Sequence, residues 1–279
     1  MHIAHRLTLR PTDSQRAQLA ALGVTLPPGI DLPGGGPRFV VVDIEERDPR
    51  WDAIQRLVQG WDVGDTVSTR FAAHEVSAAP WLAVIPDWHH GYPQPDALDF
   101  GYLQATYDLR HHCGACGIGA VQMAPFKMKG EPTWGRRGIL QLNWIFDEYF
   151  VTPDVWAGVF KPHGVASRAV MSTKGVELTT VVQLVVEEEV SVVARELLCE
   201  SCSTCARPKY RPHTRGFFPA LITEPTRPIA KTVEWFGSGG SASRRVLVSQ
   251  ELQRAMTATG LRGASFWPLS GGDVQVRVR

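Results

Sequence analysis

Residues 111–117 read HHCGACG, and residues 199–210 read CESCSTCARPKY. Cys113 and Cys116 are spaced C-x-x-C, and so are Cys202 and Cys205. A C-x-x-C turn aims two sulfurs at one point and lets backbone N–H groups donate to them. Two such turns face to face supply the four thiolates that a structural Zn2+ takes in a tetrahedron. Gly117 follows the first pair and suits the unusual backbone angles such a turn uses, while Ala206 holds the matching place after the second. The register of the second cluster is ambiguous, because Cys199 and Cys202 share the same spacing. Cys202 with Cys205 is preferred, since the ARPKY that follows is a basic exit for a site with surplus thiolate charge. Cys199 is then expected to be a spare buried thiol, with the Cys199–Cys202 pairing still open. Residues 117–201 separate the pairs, far more than the roughly 15–20 residues of a compact finger. The metal would therefore clip a long, glycine- and proline-broken midsection, removing much unfolded-chain entropy.

Two other readings of the cysteines carry less. CGAC looks superficially like a redox pair, but it lacks the strand and helix flanks of that motif and leaves the second cluster unexplained. A catalytic metal needs three protein ligands and an open position. His111, His112 and His213 could join a mixed set, but four cysteines already close the sphere.

Composition sets the frame. The 279 residues suffice for one large domain or two modest ones, and 44% hydrophobic content supports a real core. Basic and acidic residues number 29 and 28, a balance that argues against a nucleic-acid binder held mainly by phosphate contacts. The five cysteines are odd in number and fall in two tight clusters, a poor disulfide scaffold. The opening MHIAHRLTLRPTDSQ is polar and lacks the apolar run of an export signal, and no stretch reaches the length of a membrane span. The expectation is a cytoplasmic protein that keeps its thiols reduced and does not enter a membrane.

Along the chain, IAHRLTLRP reads as a strand with Leu7 and Leu9 on one face. TDSQRAQLAALG reads as a helix capped by Thr12, with Gln15 completing a capping box and Gly23 as the stop. RFVVVDIE reads as a buried strand, and DPRWDAIQRLVQGW as an amphipathic helix whose Trp51, Ile54, Leu57, Val58 and Trp61 stripe is core packing. YLQATYDLR reads as a strand leading into the first cysteine pair, and ELTTVVQLVVEEEVSVV as two strands meeting near Glu187–Glu189. Ser249 caps a helix over QELQRAMTATG, and GASFWPL and DVQVRVR close as strands. The fold class is α+β: a zinc-stapled, β-rich central region (73–215) between a small N-terminal α/β region (1–72) and a C-terminal α/β region packed on the centre (216–279).

Further candidates come with plainer alternatives. DWHHGYPQPD puts His89, His90, Tyr92 and Asp96 on one proline-broken loop, a second ligand site or simply a rigid loop. Asp147 and Glu148 lie among aromatics in FDEYF, as an acid or base of raised pKa or as an exposed turn, the latter preferred. An enzyme of hydrolase type would need His89, His90, Asp147 and Glu148 in one cleft. A nucleic-acid reading would need a continuous cationic face at Arg207, Lys209, Arg211 and Arg215. GSGG at 237–240 lacks the Lys-Ser/Thr of a phosphate loop.

CGACG at 113–117, the second pair ending in CARPKY, and the tail VEWFG…RRVLVSQELQRAMTATGLRGASFWPL together resemble the bacterial double-CXXCG motif proteins. The tail also resembles the end of bacterial toxin-immunity proteins. The resemblance implicates Cys113, Cys116, Cys202 and Cys205 as metal ligands. It implies a protein partner, with a toxin as the example, and supplies no enzyme activity.

Overall fold

The computed structural model describes residues 1–33, 35–96 and 100–271. These form a mixed α+β protein with several sheets and few helices. The chain clusters into two compact units, Met1–Glu75 with Thr214–Gly216, and Val76–His213 with Phe217–Arg279.

The first unit runs β1 (His2–Leu9), α1 (Asp13–Ala21), β2 (Val40–Glu45), α2 (Trp51–Val58) and β3 (Val63–Arg70). Its sheet is antiparallel in the order β2-β1-β3. Local chemistry sets the helix ends. Thr12 and Gln15 form the full capping box of α1, and Gly23 follows that helix with φ +74°. Leu7, Leu9, Leu19, Val40, Ile44, Trp51 and Ile54 make the core, each large side chain contributing roughly 1.5–3 kcal/mol. RFVVVDIE is not buried throughout: Val40 and Ile44 point inward while Val41, Asp43 and Glu45 are exposed. β2 is an edge strand with one face open, so the period-2 alternation decides burial rather than the apolar content.

After α3 (Ala73–Ala78), the second unit contains β4 (Trp81–Pro86), α4 (Tyr102–Thr106), β5 (Tyr107–Asp108), β6 (Val121–Gln122), β7 (Lys127–Met128), β8 (Ile139–Leu142) and β9 (Ile145–Val151). It continues through α5 (Pro153–Val155), which runs on as a π turn and a 3-10 turn to His163, then β10 (Ala166–Ser172), β11 (Glu177–Val185), β12 (Glu189–Val190), β13 (Cys199–Ser201) and β14 (Pro208–Tyr210). It closes with β15 (Ile229–Thr232), β16 (Val246–Ser249), α6 (Gln250–Ala258) and β17 (Ala264–Pro268). One five-stranded sheet has the order β7-β10-β11-β9-β8; the other has the order β12-β15-β16-β4-β17. The second draws strands from both the 73–215 and the 216–279 stretches. Leu82 and Val84 of β4, Tyr149 and Val151 of β9, Leu184 of β11, Val246 and Val248 of β16, and Leu252 and Met256 of α6 share one core, so the two sheets and α6 pack together. Phe150, between Tyr149 and Val151, serves a second core with Phe126, Leu140 and Leu142, as strand alternation requires.

Several expectations change here. YLQATYDLR opens as a helical turn, α4, because Tyr102 and Thr106 are both buried and four residues apart on one helix face. FDEYF is not an exposed turn but the body of β9, with Glu148 only 8% exposed. Ser249 caps α6 through Leu252 N, and GASFWPL contains β17. DVQVRVR lies outside the described residues.

Candidate metal centre

Two small ribbons carry the cysteines. The antiparallel pair β5–β6 brackets the loop with Cys113 and Cys116, and the pair β13–β14 brackets the loop with Cys202 and Cys205. The two turns repeat one backbone pattern. Cys113 N donates to Ile118 O and Gly117 N to Cys113 O; Cys202 N donates to Arg207 O and Ala206 N to Cys202 O. Gly117 has φ +79° and Ala206 φ +58°, so both turns close through a left-handed residue. Ala206 adopts that conformation without being glycine.

The two turns' four sulfurs converge. Cys113 Sγ lies 3.9 Å from Cys202 Sγ, and Cys116 Sγ lies 3.7 Å from Cys205 Sγ. All four lie within 4.8 Å of one another and could hold a metal ion. A regular tetrahedron with metal–sulfur bonds of about 2.3 Å has edges of about 3.8 Å, so the donor set fits a thiolate-loving divalent ion. Cys113 and Cys116 are buried, Cys202 and Cys205 half-buried. Cys199 stands apart: it is exposed on β13, opposite Tyr210, where the expectation was a buried thiol. The two-stranded ribbon leaves that strand open to solvent.

Four thiolates around a divalent ion leave about two surplus negative charges. Two cations answer them. Arg207 Nε donates to Cys205 Sγ at 3.3 Å and Arg207 Nη2 to His111 O at 2.9 Å. Lys209, only 6% exposed, gives its ammonium to the carbonyls of Cys116, Gly239 and Ser241 at 3.1, 2.5 and 3.2 Å. In the metal-free protein the Arg207 backbone N–H and guanidinium lower the Cys205 pKa to about 6, while burial raises that of Cys116 to about 11.

Sequence reasoning missed the third wall. The glycine- and serine-rich stretch 237–242 packs on the first turn. A Cβ at Gly117 would stand 2.5 Å from Gly240 O and 2.9 Å from Ala242 N. Trp235 and Ala242 pack on the cysteines, and Arg244 stacks over Trp235 at 5.2 Å. The run G-x-G-G beside a tryptophan was the available signal, though nothing local says which turn it meets.

The other sequence candidates disperse. Glu148 Oε1 accepts from Lys231 Nζ at 2.5 Å, and Glu148 Oε2 from Gln183 Nε2 at 3.0 Å. Gln183 exchanges hydrogen bonds of 2.9 and 2.7 Å with Gln122 of β6, so this buried network ends at the first ribbon. Asp147 accepts from Arg244 N at 3.3 Å. The ring of His89 meets Phe146, that of His90 meets Trp88, and Asp96 pairs with Lys129. Burial lowers the pKa of both histidines. Glu148 is therefore committed to a structural ion pair rather than offered to a His89–His90 cleft. His213 turns to Phe217 O, away from any ligand role. The proposed cationic face is likewise spent: Arg211 pairs with Glu200 and Arg215 with Glu46, beside the roles of Arg207 and Lys209. The carboxylates of Glu187–Glu189, at the junction of β11 and β12, are all engaged. Glu188 accepts from Thr226 N and Arg227 N, and its neighbours pair with Arg227 and Arg244. Among the described residues, no helix is long and apolar enough to cross a membrane. Comparison with protein-family models and with curated proteins finds no match for the chain.

Proposed function

We propose that this is a zinc protein whose centre of Cys113, Cys116, Cys202 and Cys205 is structural, and whose activity is to bind a protein partner. The observation that carries the metal half is the set of four sulfurs at tetrahedral spacing, two from each ribbon. Zinc is favoured because an all-thiolate tetrahedron suits it and leaves no position for a catalytic water. Structural zinc contributes about 10–16 kcal/mol of apparent binding free energy in small peptides, ample to join ribbons so distant in sequence. The partner half rests on the likeness of the tail to toxin-immunity proteins, which makes a bacterial toxin the first partner to try and the cytoplasm the expected compartment.

Elemental analysis of purified protein tests the first half: one zinc per chain, lost in Cys205→Ser and kept in Cys199→Ser. Zinc lost with Cys199→Ser instead reverses the register. Mild purification from the host tests the second half. A stoichiometric protein partner is expected, and repeated isolation of the zinc-loaded chain alone sinks that reading.

A further inference from the structure

Far from the cysteines in sequence, the stretch Trp88–Gly91 lies along β8. Gln141 N donates to Trp88 O, His90 N to Gln141 O and Asn143 N to Gly91 O. Trp88 and His90, two apart on extended chain, bring their rings within 5.6 Å. Gly91, with φ +58°, then turns the chain so that the Tyr92 ring lies 4.4 Å from Trp144. Trp134 meets Trp88 at 5.9 Å, and Phe100 meets Trp144 at 4.9 Å. Trp88, Trp134 and Trp144 sit half-buried on one core, and above it Tyr92 and Phe100 remain 43% and 45% exposed.

Two observations separate this cluster from a simple cap on the core. Trp144 sits in the turn between β8 and β9 with φ +69°. A non-glycine residue in that conformation costs about 1–2 kcal/mol, and glycine, asparagine or aspartate would serve such a turn better. Packing of the Trp144 ring on the core and on Tyr102 offsets part of that strain, and strain of this kind gathers at binding sites. A cationic pair also lies at the cluster's Trp88 edge. Arg136 and Arg137 are exposed and make no ion pair among the described residues, and the Arg137 guanidinium lies 4.7 Å over Trp88. The nearby Asp96 is cancelled by Lys129.

Tryptophan, tyrosine and arginine together are the composition of interface hot spots. We infer that the Trp88–Tyr92–Trp144 surface docks an acidic segment of a protein partner, an aromatic or aliphatic anchor flanked by Asp or Glu. This rests on the partner-binding reading above and specifies where the partner sits. The anchor packs on Tyr92 and Trp144, and the carboxylates face Arg136 and Arg137.

The test is selection of short random displayed peptides on the intact zinc-loaded protein, followed by fluorescence titration of the synthetic winners. Enriched peptides are expected to carry Asp or Glu around a Trp, Phe or Leu. Binding is expected to weaken about tenfold or more, ~1.4 kcal/mol, in Tyr92→Ala and in Arg136→Glu/Arg137→Glu. Tyr92→Ala, at an exposed ring, supplies a readout that a purely structural residue would not give: binding falls while zinc content and the unfolding midpoint are kept. Trp144→Gly is expected to lower binding with zinc content kept. No enrichment, enrichment of basic peptides, winners indifferent to these substitutions, or binding of oligosaccharide or single-stranded oligonucleotide at this surface in their place overturns the inference. A host partner that still binds Tyr92→Ala and Trp144→Gly at full strength overturns the surface and leaves the partner-binding reading standing.

Discussion

Gly117 and Ala206 occupy equivalent places in the two cysteine turns, and exchanging their side chains should move zinc affinity in opposite directions. Ala206 holds φ +58°, which costs an L-residue about 1–2 kcal/mol. Glycine removes that strain but loses roughly 0.5–1 kcal/mol more backbone entropy on folding. Ala206→Gly should therefore gain about 0.5–1 kcal/mol, two- to fivefold in zinc affinity. Gly117→Ala takes on the same strain at φ +79° and recovers the same entropy. Its methyl also meets Gly240 O at 2.5 Å and Ala242 N at 2.9 Å, backbone atoms that yield only if the whole 237–242 stretch shifts. Overpacking of that kind costs about 1–3 kcal/mol, for a total loss of about 2–3 kcal/mol, or thirty-fold and more in affinity. Competition against a chromogenic chelator measures both, with urea unfolding of the zinc-loaded proteins as a check. Equal effects of like sign would refute the account, because they would mean that the two turns do not close on one ion through left-handed residues.

Three more outcomes follow from the same geometry. Lys231→Met or Glu148→Leu alone should cost about 3–5 kcal/mol in urea unfolding, since each leaves a buried charge unpaired; the double variant should recover most of that. Lys209→Met should weaken zinc binding more than Arg211→Met, because Lys209 is enclosed beside the thiolates while Arg211 pairs with Glu200 at the surface; equal effects would remove Lys209 from the charge balance. Burial, the largest cause, and the nearby Arg245 lower the His213 pKa. The unfolded chain therefore takes up a proton that the fold refuses, so stability contributed by neutral His213 is present above about pH 6.5 and is lost as pH falls below it. His213→Gln should show a shallower loss of stability between about pH 7 and 5 than the parent, and identical slopes would count against a buried neutral imidazole.

Local physics was legible in the residues themselves. The capping box of Thr12 and Gln15, the Ser249 cap and the strand–helix order of the first unit depend on groups within a few positions of one another, where sterics and backbone hydrogen bonds decide. The C-x-x-C spacing belongs to the same class, since a tight turn alone aims two sulfurs together. Choice of partner does not. Cys199 and Cys205 are equivalent by spacing, and only the pairing of β13 with β14 leaves Cys199 in solvent and turns Cys205 toward Cys116. Glu148 looked like an exposed turn because a carboxylate is seldom buried without a counter-charge, and its counter-charge, Lys231, comes from a strand far along the chain. By itself, then, the sequence determined the helix caps, the short turns and the alternation of the strands. Tertiary structure alone decided which turns meet, which charges are enclosed and which aromatic edges stay in water, because those outcomes depend on burial and loop closure between residues that no short window contains.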